Sequence, residues 1–121
     1  MKLLVLDNNN TITNIAVIDS NWQLANNERL FVKGNPQIGY YYDSQNQACY
    51  DNSEKRDHLN NVITSWILDE NWNWKAPIDP DKSQTHDSDG NRMQIVEWNE
   101  STLSWDVIEV RDSLNDPWRL A

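Results

Sequence analysis

Short apolar runs broken by polar knots set the rhythm of this chain. Leu3 and Val5 on one side, and Ile12, Ile15 and Val17 on the other, flank the knot Asp7-Asn8-Asn9-Asn10. Alternating apolar residues on both sides of an Asn/Asp turn predict a β-hairpin. Asn and Asp suit such turns because they tolerate left-handed backbone angles and bond their own backbone. The layout recurs three times. Tyr40-Tyr41-Tyr42 leads through Asp43–Gln47 to Ala48-Cys49-Tyr50. Trp66-Ile67-Leu68 leads through Asp69-Glu70-Asn71 to Trp72-Asn73-Trp74. Ile95–Trp98 leads through Asn99–Thr102 to Leu103–Val107. The spacing varies too much for a solenoid of identical repeats.

Helical periodicity is scarce. Asn21 to Leu30 has helical spacing through Trp22, Ala25 and Leu30 and is expected to form one short helix. Asn52 to Asn61 suits a short helix capped at Asn52 or Ser53, or a loop. Ala76 to Arg92, with two prolines and a glycine, reads as a long loop. The expected fold is mainly β: antiparallel hairpins packed as a small sandwich or meander, with at most one or two short helices. A single hairpin-rich domain is expected over 1–110. Residues 111–121, with Leu114, Pro117, Trp118 and Leu120, form a tail that either docks or frays.

Composition sharpens this picture. Only 38% of the 121 residues are hydrophobic, but seven are Trp. Aromatic clusters can therefore replace part of an aliphatic core, since each Trp buries about 150–250 Å². The net charge of -9 and pI of 4.4 disfavour nucleic acid and anionic membranes as partners. The single cysteine, Cys49, excludes an internal disulfide. The apolar stretch after Met1 is too short for a signal peptide, and no run is long enough to span a membrane. A product that is cytosolic when made is the expectation.

No constellation of residues announces catalysis. Cys49 could pair with His58 or His86, but a thiol between Ala48 and Tyr50 in a strand is ordinarily buried and inert. Two histidines and one cysteine do not make an ordinary structural zinc site. His86–Asn91 resembles a calcium loop, yet Trp98 falls where an EF-hand needs Glu. An irregular site using Asp79, Asp81, Asp87 and Asp89 competes with a plain solvated acidic loop. Acidic pairs are too common here to single out a glycosidase. The reading is therefore no enzyme, no cofactor and no metal.

The aromatics carry the remaining signal. Trp66, Trp72, Trp74, Trp98 and Trp105 flank turns, where they can build a core or face outward as contacts. Three consecutive tyrosines in a strand must place rings on both faces. Tyr40, Tyr41, Trp72, Trp98 and Trp118 are the candidate partner-binding residues.

Four passages resemble a group of small virion structural proteins of tailed phages that infect marine cyanobacteria and related bacteria. They are Leu6–Val17; Gly34-Asn35-Pro36-Gln37-Ile38-Gly39-Tyr40-Tyr41-Tyr42-Asp43; Ser65–Glu70 with Trp74–Pro77; and Asp89-Gly90-Asn91 with Trp98-Asn99-Glu100 and Ser104-Trp105. Together they span most of residues 1–110. The chain departs from the pattern before Ser65, where Val62-Ile63-Thr64, preceded by a charged stretch from Ser53, stands in place of a proline-rich entry, in the longer loop before Asp89, and beyond Val110. The resemblance implies a virion protein that binds other virion proteins, as capsid decoration or cement or as a neck or tail accessory. It carries no catalytic residues over, and the exposed edge strands expected of such hairpins point to a homo-oligomer or symmetric assembly. The alternatives are a carbohydrate-binding module of a tail fibre, using exposed Trp72 or Trp98, and an inhibitor of a basic host target.

Overall fold

A computed structural model describes all 121 residues. The fold is mainly β, with small open sheets built from antiparallel hairpins. Two compact units are present: residues 1–53 with 68–75, and residues 54–67 with 76–121. The segment 111–121 belongs to the second.

In the first unit, β1 (Lys2–Leu6) pairs with β2 (Ile12–Val17) and with β3 (Glu28–Leu30), giving the order β2-β1-β3. The hairpin seen at Asp7 in the sequence is β1–β2. β4 (Lys33–Gly34) runs parallel to β6 (Ala48–Tyr50), which pairs antiparallel with β5 (Tyr41–Asp43). β7 (Ile67–Leu68), whose second residue opens the 68–75 segment of this unit, and β8 (Trp74–Lys75) form a two-stranded hairpin. The core is Leu4, Leu6, Ile12, Tyr42 and Cys49, with Ile15, Phe31 and Tyr40 packed against it. Leu4, Ile12 and Cys49 are sealed from solvent. Each of the two aliphatics contributes about 1.5–3 kcal/mol by leaving water. Gly34 permits the close parallel approach of β4 to β6: its φ is +95°, and a Cβ there would overlap the Cys49 carbonyl.

In the second unit β9 (Gln94–Asn99), β10 (Ser104–Val110) and β11 (Arg119–Leu120) form a meander. The one helix, α1, is a single turn over Lys82–Thr85, and the Asp81 side chain caps it by accepting from the Ser83 N–H. It lies in the stretch read as a loop. This unit buries mostly polar and aromatic groups: Asp57, Ala76, Thr85, Trp98 and Asn99.

The helix expected over Asn21–Leu30 does not form. Glu28 Oε1 takes the Ala25 N–H, which a helix starting at Asn21 would give to the Asn21 carbonyl. Glu28–Leu30 pairs with β1 instead. Over 52–61 the structure has the loop, closed by a bridge between Arg56 and Val62.

One five-residue turn occurs four times, headed by Asp7, Asp57, Asp69 and Asp87. In each, the Asp N–H donates to the fifth residue's carbonyl and the Asp carbonyl accepts from the fourth residue, at 2.8–3.1 Å. Asp Oδ1 accepts from the third and fifth N–H groups. The fourth residue has a positive φ: Asn10 60°, Asn60 66°, Trp72 63°, Gly90 83°. A six-residue variant occurs twice, headed by Asp43 and Asn99, with its left-handed residue at the fifth position, Gln47 (φ 53°) and Leu103 (φ 52°). These turns satisfy their own backbone, so short strands close without long ladders.

Candidate binding surfaces

Two aromatic clusters, one in each unit, are built on these turns. In the first unit Tyr50 is the hub. Trp72 stacks on it at 5.9 Å and 12°, and Tyr41 and Trp74 meet it edge-on at 5.7 and 6.2 Å. The Tyr50 hydroxyl donates to Asp43 Oδ2, and the Trp74 indole N–H donates to the Asp51 carbonyl. Trp72 occupies the left-handed place of its turn, where Asn or Gly stands in the other three. A bulky side chain there is strained. The stack on Tyr50 and the Lys33 ammonium, 5.5 Å from the Trp72 ring centre, hold it. Asn35 fastens the same turn: its Nδ2 donates to the carbonyls of Asn71 and Trp72 and to Asn73 Oδ1.

In the second unit Trp98 lies between Trp66 and Trp105, both edge-on, at 6.3 and 5.2 Å. Its N–H donates to Glu100 Oε1. The Glu100 carboxylate also accepts from the backbone and hydroxyl groups of Thr64 and Ser65. The Ser65 and Trp98 donors, with the two backbone N–H groups, outweigh desolvation and bring the Glu100 pKa down to about 2. Glu100 thus ties the 64–66 segment to the β9–β10 turn. The Glu100 N–H donates to Asp57 Oδ2 at 2.7 Å, and Asn61 Nδ2 donates to Ser101 Oγ. Burial works against the Asp57 carboxylate, but bonds from Glu100, Asn61 and Leu59 hold its pKa below the usual value. Asp106 accepts from Asn99 and His58, which lowers its pKa as well.

The five candidate contact residues fare differently. Tyr40 is half-buried against the core, and Tyr41 and Trp72 are half-buried in the Tyr50 cluster. Trp98 is 3% exposed, which corrects its reading as an outer platform: its neighbours Trp66 and Trp105 cover the ring. Trp118 is half-buried, with the Arg111 guanidinium of the same tail 4.3 Å over its ring, and the neighbouring Arg119–Leu120 pairs with β10, so this part of the tail is docked on its own unit. The most exposed tryptophan is Trp22, at 50%, in the segment read as a helix. Its only sequence signal was hidden by that helical spacing.

Two further features bear on chemistry. Cys49 is sealed, and desolvation raises its pKa to about 11, so it is a thiol at neutral pH. The acidic residues Asp79, Asp81, Asp87 and Asp89 do not converge on a metal-binding cluster. Asp81 and Asp87 instead turn an oxygen onto nearby backbone N–H groups. A cavity of about 220 Å³ lies in the second unit, lined by Asp79, Asp81, Gln84, Gln94 and Trp105 among others. Comparison with protein-family models, curated proteins and solved structures finds no match.

Proposed function

We propose that the protein is a non-enzymatic virion component of a tailed phage, which binds other virion proteins as capsid decoration or cement or as a neck or tail accessory. The observation that carries this reading is the use of the resembling passages. Gly34-Asn35, Ser65-Trp66, Asp89-Gly90-Asn91 and Trp98-Asn99-Glu100 supply the turns and aromatic clusters of both units. A scaffold of self-satisfied turns presenting aromatics suits adhesion better than turnover, and the net charge of -9 directs it to protein rather than nucleic acid. Quantitative mass spectrometry of purified particles tests the proposal. About one copy per major capsid protein supports decoration, and a few to dozens per particle support the neck or tail. Absence from the particle overturns it.

The cavity beside Trp105 favours one second reading, a carbohydrate-binding module of a tail fibre. An indole flanked by two carboxylates and two amides offers a sugar both a stacking face and hydrogen-bond partners. Glycan-array binding abolished by Trp105→Ala supports it, and no binding to any glycan sinks it.

A further inference from the structure

The turns headed by Asp57 and Asp87 are two copies of one element with matching surroundings. Asp51 and Asp81 lie at the same spacing before them, and each accepts from the N–H and hydroxyl of the serine two residues on. Ile63 donates to the Lys55 carbonyl and Met93 to the Thr85 carbonyl, both at 2.7 Å. Bridges join Arg56 to Val62 and His86 to Arg92. Asn61 Nδ2 donates to Asp57 Oδ2, and Asn91 Nδ2 to Asp87 Oδ2.

Only the first copy is occupied. Its Asp57 Oδ2 receives the Glu100 N–H, and its Asn61 amide reaches Ser101 Oγ. Glu100 and Ser101 are the second and third residues of the six-residue turn headed by Asn99. Asp87 is exposed, and the only donor to its Oδ2 is Asn91.

The chain has one other six-residue turn, headed by Asp43, and it matches the first closely. Asn46 N–H meets Asp43 Oδ1, and Thr102 N–H meets Asn99 Oδ1, both at 3.2 Å. Ser44 and Gln45 hold the places of Glu100 and Ser101. Both are exposed, and neither the Ser44 N–H nor the Gln45 side chain has a partner. We propose that the Asp87 turn is a docking site for the Asp43 turn of a second copy of this chain. The Ser44 N–H donates to Asp87 Oδ2, and the Gln45 carbonyl oxygen accepts from Asn91 Nδ2.

The second position of the turn favours this occupant. In the occupied copy the incoming Glu100 carboxylate is received by Thr64 and Ser65. Their counterparts after the Asp87 turn are Gln94 and Ile95, in β9, so a second carboxylate would find no such reception. Ser44 brings none. Donor turn and acceptor turn are different surfaces, so the contact either closes, as a reciprocal two-fold pair or a larger ring, or runs on as a filament. The inference deepens the assembly reading above. Particle composition tests that reading separately, so the two can fail independently.

The test is sedimentation velocity of the full chain over a concentration series, with two variants. Ser44→Pro removes the donor at a turn position where proline is favoured. Asp87→Asn keeps an Oδ1 to hold its turn but places an amide where Oδ2 accepted. Circular dichroism verifies the fold of each. Wild type is expected to associate with rising concentration, and each variant alone to weaken association at least tenfold. An equimolar mixture of the two variants retains one intact donor and one intact acceptor, so it is expected to form a dimer and nothing larger. A wild type that stays monomeric up to about 1 mM, where a contact worth only some 4 kcal/mol would register, overturns the proposal. So does association unaffected by either variant, or a mixture that fails to pair.

Discussion

Asp57 and Asp87 head the same turn with the same backbone bonds, yet one carboxylate is buried under the Glu100 N–H and the other is open to solvent. The difference lies in what lands on the turn. The β9–β10 turn reaches Asp57, and the residues that bring it there are held by Glu100.

Glu100 makes the second unit sensitive to acid. Its folded pKa of about 2 lies below the ordinary value of 4.5, so its contribution is fully present above about pH 5 and is lost as pH falls toward 2. Urea midpoints measured across this range should drop for wild type. Glu100→Gln should start lower and show a flatter acid dependence. A profile in the variant as steep as in wild type would assign the acid response to other carboxylates.

Trp66 buries its indole N–H with no partner. Such a donor costs about 1–3 kcal/mol when left unpaired. Trp66→Phe removes it and keeps a ring edge-on to Trp98. The substitution is expected to cost less than about 1 kcal/mol or to stabilise, against a usual loss of about 3–5 kcal/mol for Trp→Ala in a packed site. Urea unfolding of Trp66→Phe beside Trp66→Ala distinguishes them.

Gly34 and Gly39 both have positive φ, +95° and +93°, but only Gly34 faces backbone where a Cβ would sit. Gly39→Ala should cost about 1–2 kcal/mol for the left-handed strain alone. Gly34→Ala adds a clash with Cys49 and should exceed it clearly, with loss of the β4–β6 pairing. Equal losses in thermal melts of the two variants would count against this account.

Cys49 should resist Ellman's reagent in the native state at neutral pH and react fully in denaturant, because it is sealed and its pKa stands near 11. Rapid labelling without denaturant would mean that β5 and β6 open readily.

Turn chemistry was the legible part of this fold. Asp7, Asp43, Asp69 and Asn99 stand between apolar runs, and an Asp or Asn that bonds its own backbone acts within five or six residues. The turns at Asp57 and Asp87 use the same chemistry but close on single bridges, Arg56 to Val62 and His86 to Arg92, with no apolar alternation to flag them. The segment around Trp22 has helical spacing, but Glu28 competes for its backbone and pairs with β1, and spacing alone does not reveal that competition. Exposure of particular tryptophans was the least legible. Trp98 is covered because Trp66 and Trp105 converge on it from segments apart in sequence, whereas Trp22 has no such neighbours.

The self-satisfied turn also bears on how the chain reaches its fold. The Asp7 turn needs nothing beyond Thr11, and the Asp87 turn nothing beyond Asn91, so each can close as soon as its fifth residue is available. Loops this short close within about 100 ns, long before a chain of this size collapses. The hairpin tips are then formed ahead of the aromatic clusters they later carry, and folding reduces to bringing prefabricated corners together.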